Sequence, residues 1–323
     1  MFKKIVNGFS ITAMTAALSL SLQAHASDDI LIGTTSASSS HYGYFVAVSK
    51  LLNDQIPDLK SSVAETGATL DNLRRLMRNQ VDIGLVTTNT LYEANAGISA
   101  FENRAIDSKL LWIYALAPQN VVVRADSGVK TLEQLKGKSF NPGIRGSSTE
   151  ATSEKVFELL AITPEMSRGS TSDVVNAIKD NRVIGYVKSG AGLKLDASSQ
   201  DIAAQTPINL LGLSPEQTSL VKEKLPQLSI VNVPENTTLQ LPAYETWGFG
   251  VGASARPDLD EELAYKIVKA VMEDSEYQSS AMASIKGQSL AEMTLKYATS
   301  PLHPATVRYL TEQGYDVPAA LKP

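Results

Sequence analysis

Residues 30–52 read ILIGTTSASSSHYGYFVAVSKLL, and the order of patterns within them decides the fold. Ile30-Leu31-Ile32 is a short apolar run of the kind that forms a buried strand. It gives way over 33–40 to a polar loop of glycine, threonine and serine. Beyond the loop, Phe45, Val48, Leu51 and Leu52 recur at the spacing of a helix with one apolar face. Strand, polar loop and amphipathic helix in that order make the first half of a βαβ unit.

The unit recurs down the chain. Pro57 closes the first, Ser62-Val63-Ala64-Glu65 opens a second, and Leu70, Leu73, Leu76 and Met77 lie on its helix face. Ile83-Gly84-Leu85-Val86 opens a third, with a helix through Tyr92. Val121-Val122-Val123-Arg124 is predicted as a strand that starts a second series. In it Thr131 caps a short helix over 132–135, Lys138-Ser139-Phe140 is a strand, 141–148 is another polar glycine loop, and 151–160 is a helix. Further strands are predicted at 184–187, 208–211 and 249–253, the last followed by a helix carrying Leu263, Ile267, Ala270 and Val271. The remainder is helical and turn-rich, broken at Pro301 and Pro304.

This alternation predicts an α/β protein of two lobes, each a mostly parallel sheet flanked by helices. The expected division is a leader over 1–26, a first lobe begun by 27–120, a second lobe over 121–235, and a return to the first over 236–323. Crossings near 117–124 and 233–253 are expected to form a short two-segment hinge.

Composition bounds the function. The 323 residues are 43% hydrophobic and 20% charged, enough for two packed lobes and unlike a disordered or collagen-like chain. A net charge of −5 offers no basic surplus for phosphates, which excludes nucleic acid as a partner. There is no cysteine, hence no disulfide and no lipid-modified cysteine anchor. Lys3 and Lys4, the mostly apolar stretch over 11–22 and Ala24-His25-Ala26 read as a secretory signal cleaved after Ala26. Its apolar core of about a dozen residues is short of the ~20 that a bilayer span needs. A free periplasmic protein is expected.

Catalytic equipment is sparse. Past the leader the histidines are His41 and His303, and no HExxH, P-loop or cysteine/histidine metal cluster occurs. Gly248-Phe249-Gly250-Val251-Gly252 lacks dinucleotide-loop spacing and falls in a predicted strand. An enzyme acting through the serine loop would have His41 alone as its base. The expectation is a protein that is not an enzyme and carries no cofactor or metal. Trp247 and His303 read as packing residues.

What remains is a set of polar loops at strand-to-helix junctions. The first offers Thr34, Ser38, Ser39, Ser40, His41 and Tyr42; the second Ala68 and Thr69; the third Thr88 and Asn89. Over 143–150 the second series offers Arg145, Ser147, Ser148 and Thr149, and Lys188 and Ser189 follow its next strand. In an open α/β sheet such loops gather at the carboxyl edge, where ligands bind. Helix N-termini there favour an anion by about 0.3–1 kcal/mol each. Small hydroxyl side chains let a ligand approach the backbone and donate to it, and Arg145 could pair with a carboxylate through two bonds. Any one loop is equally served by capping and turn formation. Three from one lobe and one facing them from the other point to a small polar or anionic ligand held between lobes.

The order of these motifs resembles the TAXI subfamily of TRAP-transporter substrate-binding proteins. The similarity rests on Gly33-Thr34 with its serine loop and Tyr42, on Thr66-Gly67-Ala68-Thr69-Leu70-Asp71-Asn72-Leu73, and on Val81-Asp82-Ile83-Gly84-Leu85-Val86 with Tyr92. It continues through 121–128 and 132–138, through Gly143 to Thr152, and through Pro301-Leu302-His303-Pro304 with Tyr309. The resemblance implies a type II periplasmic binding protein that closes on one small solute and delivers it to an ion-gradient-driven membrane permease, usually with its two membrane subunits fused. It also implies a small carboxylate such as glutamate or 2-oxoglutarate as ligand. The chain departs from the family pattern in a first loop rich in Ser and Ala rather than Gly, and in Thr87-Thr88-Asn89 where Ser-Asp is usual. Without an acid at Asn89, a ligand amine loses a natural partner, so a carboxylate lacking that amine, or a differently oriented ligand, is expected. The alternative partner is an ABC importer or a periplasmic sensor kinase.

Overall fold

The computed structural model describes residues 28–323; the leader expected over 1–26 lies outside them. Each polar loop identified in the first segment connects a strand to a helix. β1 (Asp28–Gly33) leads to α1 (Ser40–Gln55), β2 (Leu59–Ala64) to α2 (Thr69–Leu76), and β3 (Ile83–Thr87) to α3 (Thr88–Ala96). β1 lies parallel between β2 and β3, as connections through helices require. Phe45, Val48, Leu51, Leu52, Leu73 and Leu76 on the apolar faces of these helices are fully buried, whereas Met77, expected on the same face, stands at the C-cap of α2 and is exposed.

β4 (Lys109–Arg124) then runs for 16 residues, well before the strand predicted from Val121. Pro118 made the sequence look interrupted there. In the fold it stands opposite Gly248 at the end of one ladder, just before β4 changes partners, where a missing N–H costs least. A second series follows: β5 (Ser139–Phe140), α4 (Ser148–Leu159), β6 (Glu165–Met166), α5 (Thr171–Lys179), β7 (Gly185–Ser189), α6 (Ala197–Ala203), β8 (Ile208–Leu211), α7 (Pro215–Lys224) and β9 (Ser229–Val233). The chain returns through β10 (Tyr244–Ala255) to α8 (Glu261–Glu273), α9 (Tyr277–Ala281), α10 (Leu290–Tyr297) and α11 (Pro304–Glu312).

The strand order is β2-β1-β3-β10-β4-β7, with β8 also on β4 and β9 also on β10. The sheet is therefore mixed. Parallel pairing holds for β1 with β2 and β3 and for β5 with β6, while β4 and β10 are antiparallel to every strand they meet. Those two strands carry the chain from the half built on β1–β3 to the half built on β5–β8 and back. Residues Lys109 to Pro118 of β4 pair with β10, and the next six lie between β7 and β8.

The glycines of β10 have a packing reason and form no ligand loop. A Cβ on Gly248 would lie 2.8 Å from the Ala117 carbonyl oxygen, and one on Gly252 would lie 2.1 Å from that of Trp112. Trp247, immediately before them in the same strand, is fully buried and meets Phe157 edge-on. His303 caps α11, its Nδ1 accepting from the Ala305 amide. The main core runs through both halves along β4 and β10, and a smaller one around Val122, Ile178, Tyr186 and Ile202 belongs to the second half.

Gly252→Ala should destabilise the protein by about 1–3 kcal/mol, the usual cost of overpacking, because the added methyl meets backbone that cannot retreat. Urea unfolding followed by circular dichroism checks this.

Candidate functional site

At the carboxyl ends of β1 and β3, one buried amide organises the first half. Asn72 Nδ2 donates to the carbonyls of Thr34 and Leu85, and its Oδ1 accepts from the Thr66 hydroxyl. This holds the start of α2 against both strand ends. Ala68, which precedes that helix, has φ 69° and ψ −150°, a conformation costly for any residue but glycine. In the second half, Ser147 caps α4 by accepting from the Glu150 amide, and the Glu150 carboxylate reaches back to the amide of Gly146. Gly143 has φ +138°, and a Cβ there would sit 2.5 Å from the Glu150 nitrogen. Arg168 pairs with Glu150 and Glu154 from outside.

The opening turns of α2 and α4 thus face each other across a cavity of about 40 Å³. Its walls are Thr35, Ser39, His41, Ala68, Thr69, Leu85, Thr87 and Val251 from one side, and Ile144, Ser147, Ser148, Thr149, Val187, Lys188 and Ser189 from the other. Most of its polar side chains are already engaged: the Thr149 hydroxyl donates to Gln119 Oε1 and lies 2.9 Å from the Ser189 hydroxyl. Thr35 makes no side-chain hydrogen bond, and the hydroxyls of Thr69 and Thr87 are wholly buried without a partner; Thr87, although it stands at the N-cap of α3, makes no capping bond.

Beside the cavity the halves are joined by a buried polar cluster centred on Asp196, which sequence reasoning missed. Asp196 Oδ2 accepts from the Ser39 hydroxyl at 2.9 Å and the Ser40 amide at 2.8 Å, at the start of α1. Its Oδ1 accepts from the Ser198 amide and hydroxyl, at the start of α6. One carboxylate therefore serves two helix N-termini, one from each half. The Lys188 ammonium lies 3.7 Å from Oδ1 and donates to Ser39. Burial alone would raise the Asp196 pKa, but Lys188, His41 and the Ser198 donors hold it below the usual carboxylate value. The signal available in the sequence was an Asp before Ala197-Ser198-Ser199, a plain N-cap; nothing local showed that a second helix would share it.

His41 lies in the same cluster. Its Nε2 faces the Gly190 carbonyl at 3.1 Å, so that nitrogen carries the proton, and Nδ1 accepts from the Tyr114 hydroxyl at 2.9 Å. Burial pushes its pKa down to about 4, helped by Lys188 and opposed by Asp196 and the Gly190 carbonyl. A second seam runs along α3 and α4: Asn89 Nδ2 donates to the Thr152 hydroxyl, the Ser148 hydroxyl donates to Asn89 Oδ1, the Thr90 and Ser148 hydroxyls lie 2.6 Å apart, and Lys155 pairs with Glu93. The Leu70 amide donates to the Gly146 carbonyl between these two clusters.

The expected site residues divide accordingly. Ser39, His41, Ala68, Thr69, Ser147, Ser148, Thr149, Lys188 and Ser189 line the cavity. Thr34 is buried but bonded to the Ala64 carbonyl, Ser40 is committed to the α6 cap, and Thr88 accepts from the Gly250 amide. Ser38 is exposed, Tyr42 is half-buried off the cavity wall, and Arg145 is exposed on the surface side of its loop. Asn89 spans the seam between halves, so the inference about a ligand amine drawn from its lack of charge does not hold. Thr35, Thr87, Leu85, Ile144, Val187 and Val251 were not anticipated.

A larger groove of about 660 Å³ lies away from this junction, between residues 193–195 and the 234–242 segment. Within it Tyr244 donates to Asn120 at 2.5 Å. The unpartnered hydroxyls make the smaller cavity the candidate site.

An α/β fold with a cavity at the carboxyl edge of its strands, closed between two halves, has the architecture of periplasmic binding proteins. The chain belongs to the NMT1-like family, whose model matches residues 32–314. Among solved structures it is similar to a periplasmic transporter (12% identity, TM-score 0.52, covering 80% of this chain and 87% of that one). It is also similar to a Listeria monocytogenes protein put forward as an L-cystine ABC transporter (16%, 0.51, 83% and 99%). A third is the ligand-binding component of an ABC-type import system from Staphylococcus aureus, with zinc bound (14%, 0.50, 91% and 94%). At these identities the likeness concerns the fold.

Two predictions follow from the cluster. Asp196→Asn leaves the buried Lys188 without its counter-charge and should cost about 3–5 kcal/mol in urea unfolding. Because the folded-state pKa of His41 lies below its unfolded value of about 6.5, the unfolded chain binds the extra proton. Stability is then complete above pH 6.5 and declines as pH falls toward 4, by about 3 kcal/mol for this residue. His303, also shifted down, mainly by burial, adds to the same decline, so the measurement is the difference between the protein and His41→Gln over pH 7 to 4. An identical decline in both would assign it elsewhere.

Proposed function

We propose that this chain is a periplasmic solute receptor that binds a small carboxylate between its halves and presents it to a TRAP-type membrane permease. The observation that carries the reading is the cavity between the halves, with two buried hydroxyls on its lining residues that have no partner within the protein. Family membership and a fold shared with periplasmic binding proteins support it, and the opening turns of α2 and α4 with Lys188 favour an anion. Thr35, Ser39, Thr69, Thr87, Ser147, Ser148, Thr149, Lys188 and Ser189 are the proposed binding residues. The solute enters when the halves part about β4 and β10 and the Asp196 and Ser148 contacts open. A closed, loaded receptor is then the shape a permease selects. No reaction on the solute is part of this function.

The second reading is the binding component of an ABC importer, the kind of system for which two of the similar structures are named. Among the described residues no helix is long and apolar enough to cross a membrane, so either reading needs a separate membrane partner.

Thermal unfolding of the refolded, ligand-stripped protein against amino acids, oxo acids, dicarboxylates and aromatic acids tests the receptor. A solute at about 100 times its dissociation constant should add roughly 2.7 kcal/mol, and a folded protein that no solute stabilises would end the reading. Uptake into vesicles carrying the partner permease should follow an imposed ion gradient; dependence on ATP would select the ABC importer instead.

A further inference from the structure

The cavity walls say more about the solute than its charge. Lys188 and His41 are the basic side chains on them; burial keeps His41 uncharged near neutral pH, and no Asp or Glu is among the lining residues. The nearest acids are spent elsewhere. Asp196 is taken up by Ser39, Ser40, Ser198 and Lys188, and Glu150 by Gly146 and Arg168. The lining also includes Leu85, Ile144, Val187 and Val251 with the Ala68 methyl, all apolar. The volume, about 40 Å³, is far below the roughly 300–1,000 Å³ of pockets that hold drug-sized ligands.

We infer that the site selects a short-chain monocarboxylate with an apolar tail, and rejects both α-amino acids and dicarboxylates. This rests on the receptor reading and narrows it. The carboxylate takes the hydroxyls of Thr69 and Thr87 as donors, with the opening turns of α2 and α4 and Lys188 completing its field. The two residues are 1% and 4% exposed, and their hydroxyls find no partner in the protein. The tail lies against the four aliphatic side chains. An ammonium group in the same place would face two helix N-termini and find no free carboxylate, since no Asp or Glu lines the cavity and Asp196 is already paired with Lys188. A second carboxylate would be pressed against aliphatic carbon without a donor.

Isothermal titration of the ligand-stripped protein with propionate, pyruvate and 2-oxobutyrate, against alanine, 2-aminobutyrate, glutamate and 2-oxoglutarate, tests this. At least one short acid should bind, and its amino counterpart should be at least tenfold weaker. Thr87→Val should weaken the short acid about five- to tenfold while leaving the melting temperature of the ligand-free protein unchanged or slightly higher, since the lost hydroxyl bonded nothing. Thr87→Ser should restore binding, and Thr69→Val repeats the test at the other hydroxyl. Equal or tighter binding of an amino acid or dicarboxylate, or unchanged affinity in both valine variants, overturns the inference and leaves the receptor standing. If neither these acids nor any solute of the wider panel binds, the receptor reading falls as well.

Discussion

Every relation between the two halves depends on β4 and β10 lying side by side. The chain passes from one half to the other inside β4 and returns inside β10, and the two are hydrogen-bonded to each other from Gly248–Pro118 to Ala255–Lys109. Neither crossing is a free loop, so relative movement must be taken up by bending and twisting of a paired ribbon. The ribbon changes partners at Pro118 and Gly248, where one residue lacks an N–H and the other a side chain. That is where the sheet has least to resist bending.

The surfaces that meet beyond the ribbon carry many polar contacts, which suits the proposed opening of the halves. Asp196, Ser39, Ser40, Ser148, Asn89 and Thr152 bond across the junction. Each hydrogen bond can be exchanged for one to water at a net cost of about 0.5–1.5 kcal/mol. An apolar seam of the same extent would hold the halves shut. Asp196 and Lys188 are the exception in kind: both are charged and buried, and their worth lies in fixing the registry of α1 and α6 more than in net stability. Of the buried polar atoms without a partner, the hydroxyls of Thr69 and Thr87 are the ones that belong to residues lining the cavity.

Local pattern made much of the architecture legible. The strands at 30–32, 83–86 and 208–211 and the helices after the first three polar loops fall where periodicity placed them, because burial of one face is written directly into residue spacing. The Gly248–Gly252 stretch was rightly read as a strand. Where the reading stopped short, a long-range partner decided the outcome. β4 begins twelve residues before its predicted start because β10 supplies a ladder that tolerates Pro118. The sheet is mixed because β4 and β10, the strands that link the halves, run antiparallel to the rest.

The site shows the same division. The sequence by itself determined which loops stand at the carboxyl edge of the strands, and that their residues are small and hydroxylated. Capping and turn preferences act between neighbours and need no tertiary partner. Only the tertiary structure decided which of those residues face one another. It turned Arg145 to the surface and gave Asn89 to Thr152 and Ser148. It left Thr87 idle at a cap position and brought Asp196 to Ser39 across 157 positions of chain. Side-chain direction at an interface is fixed by what packs opposite, and that information lies in no single stretch of sequence.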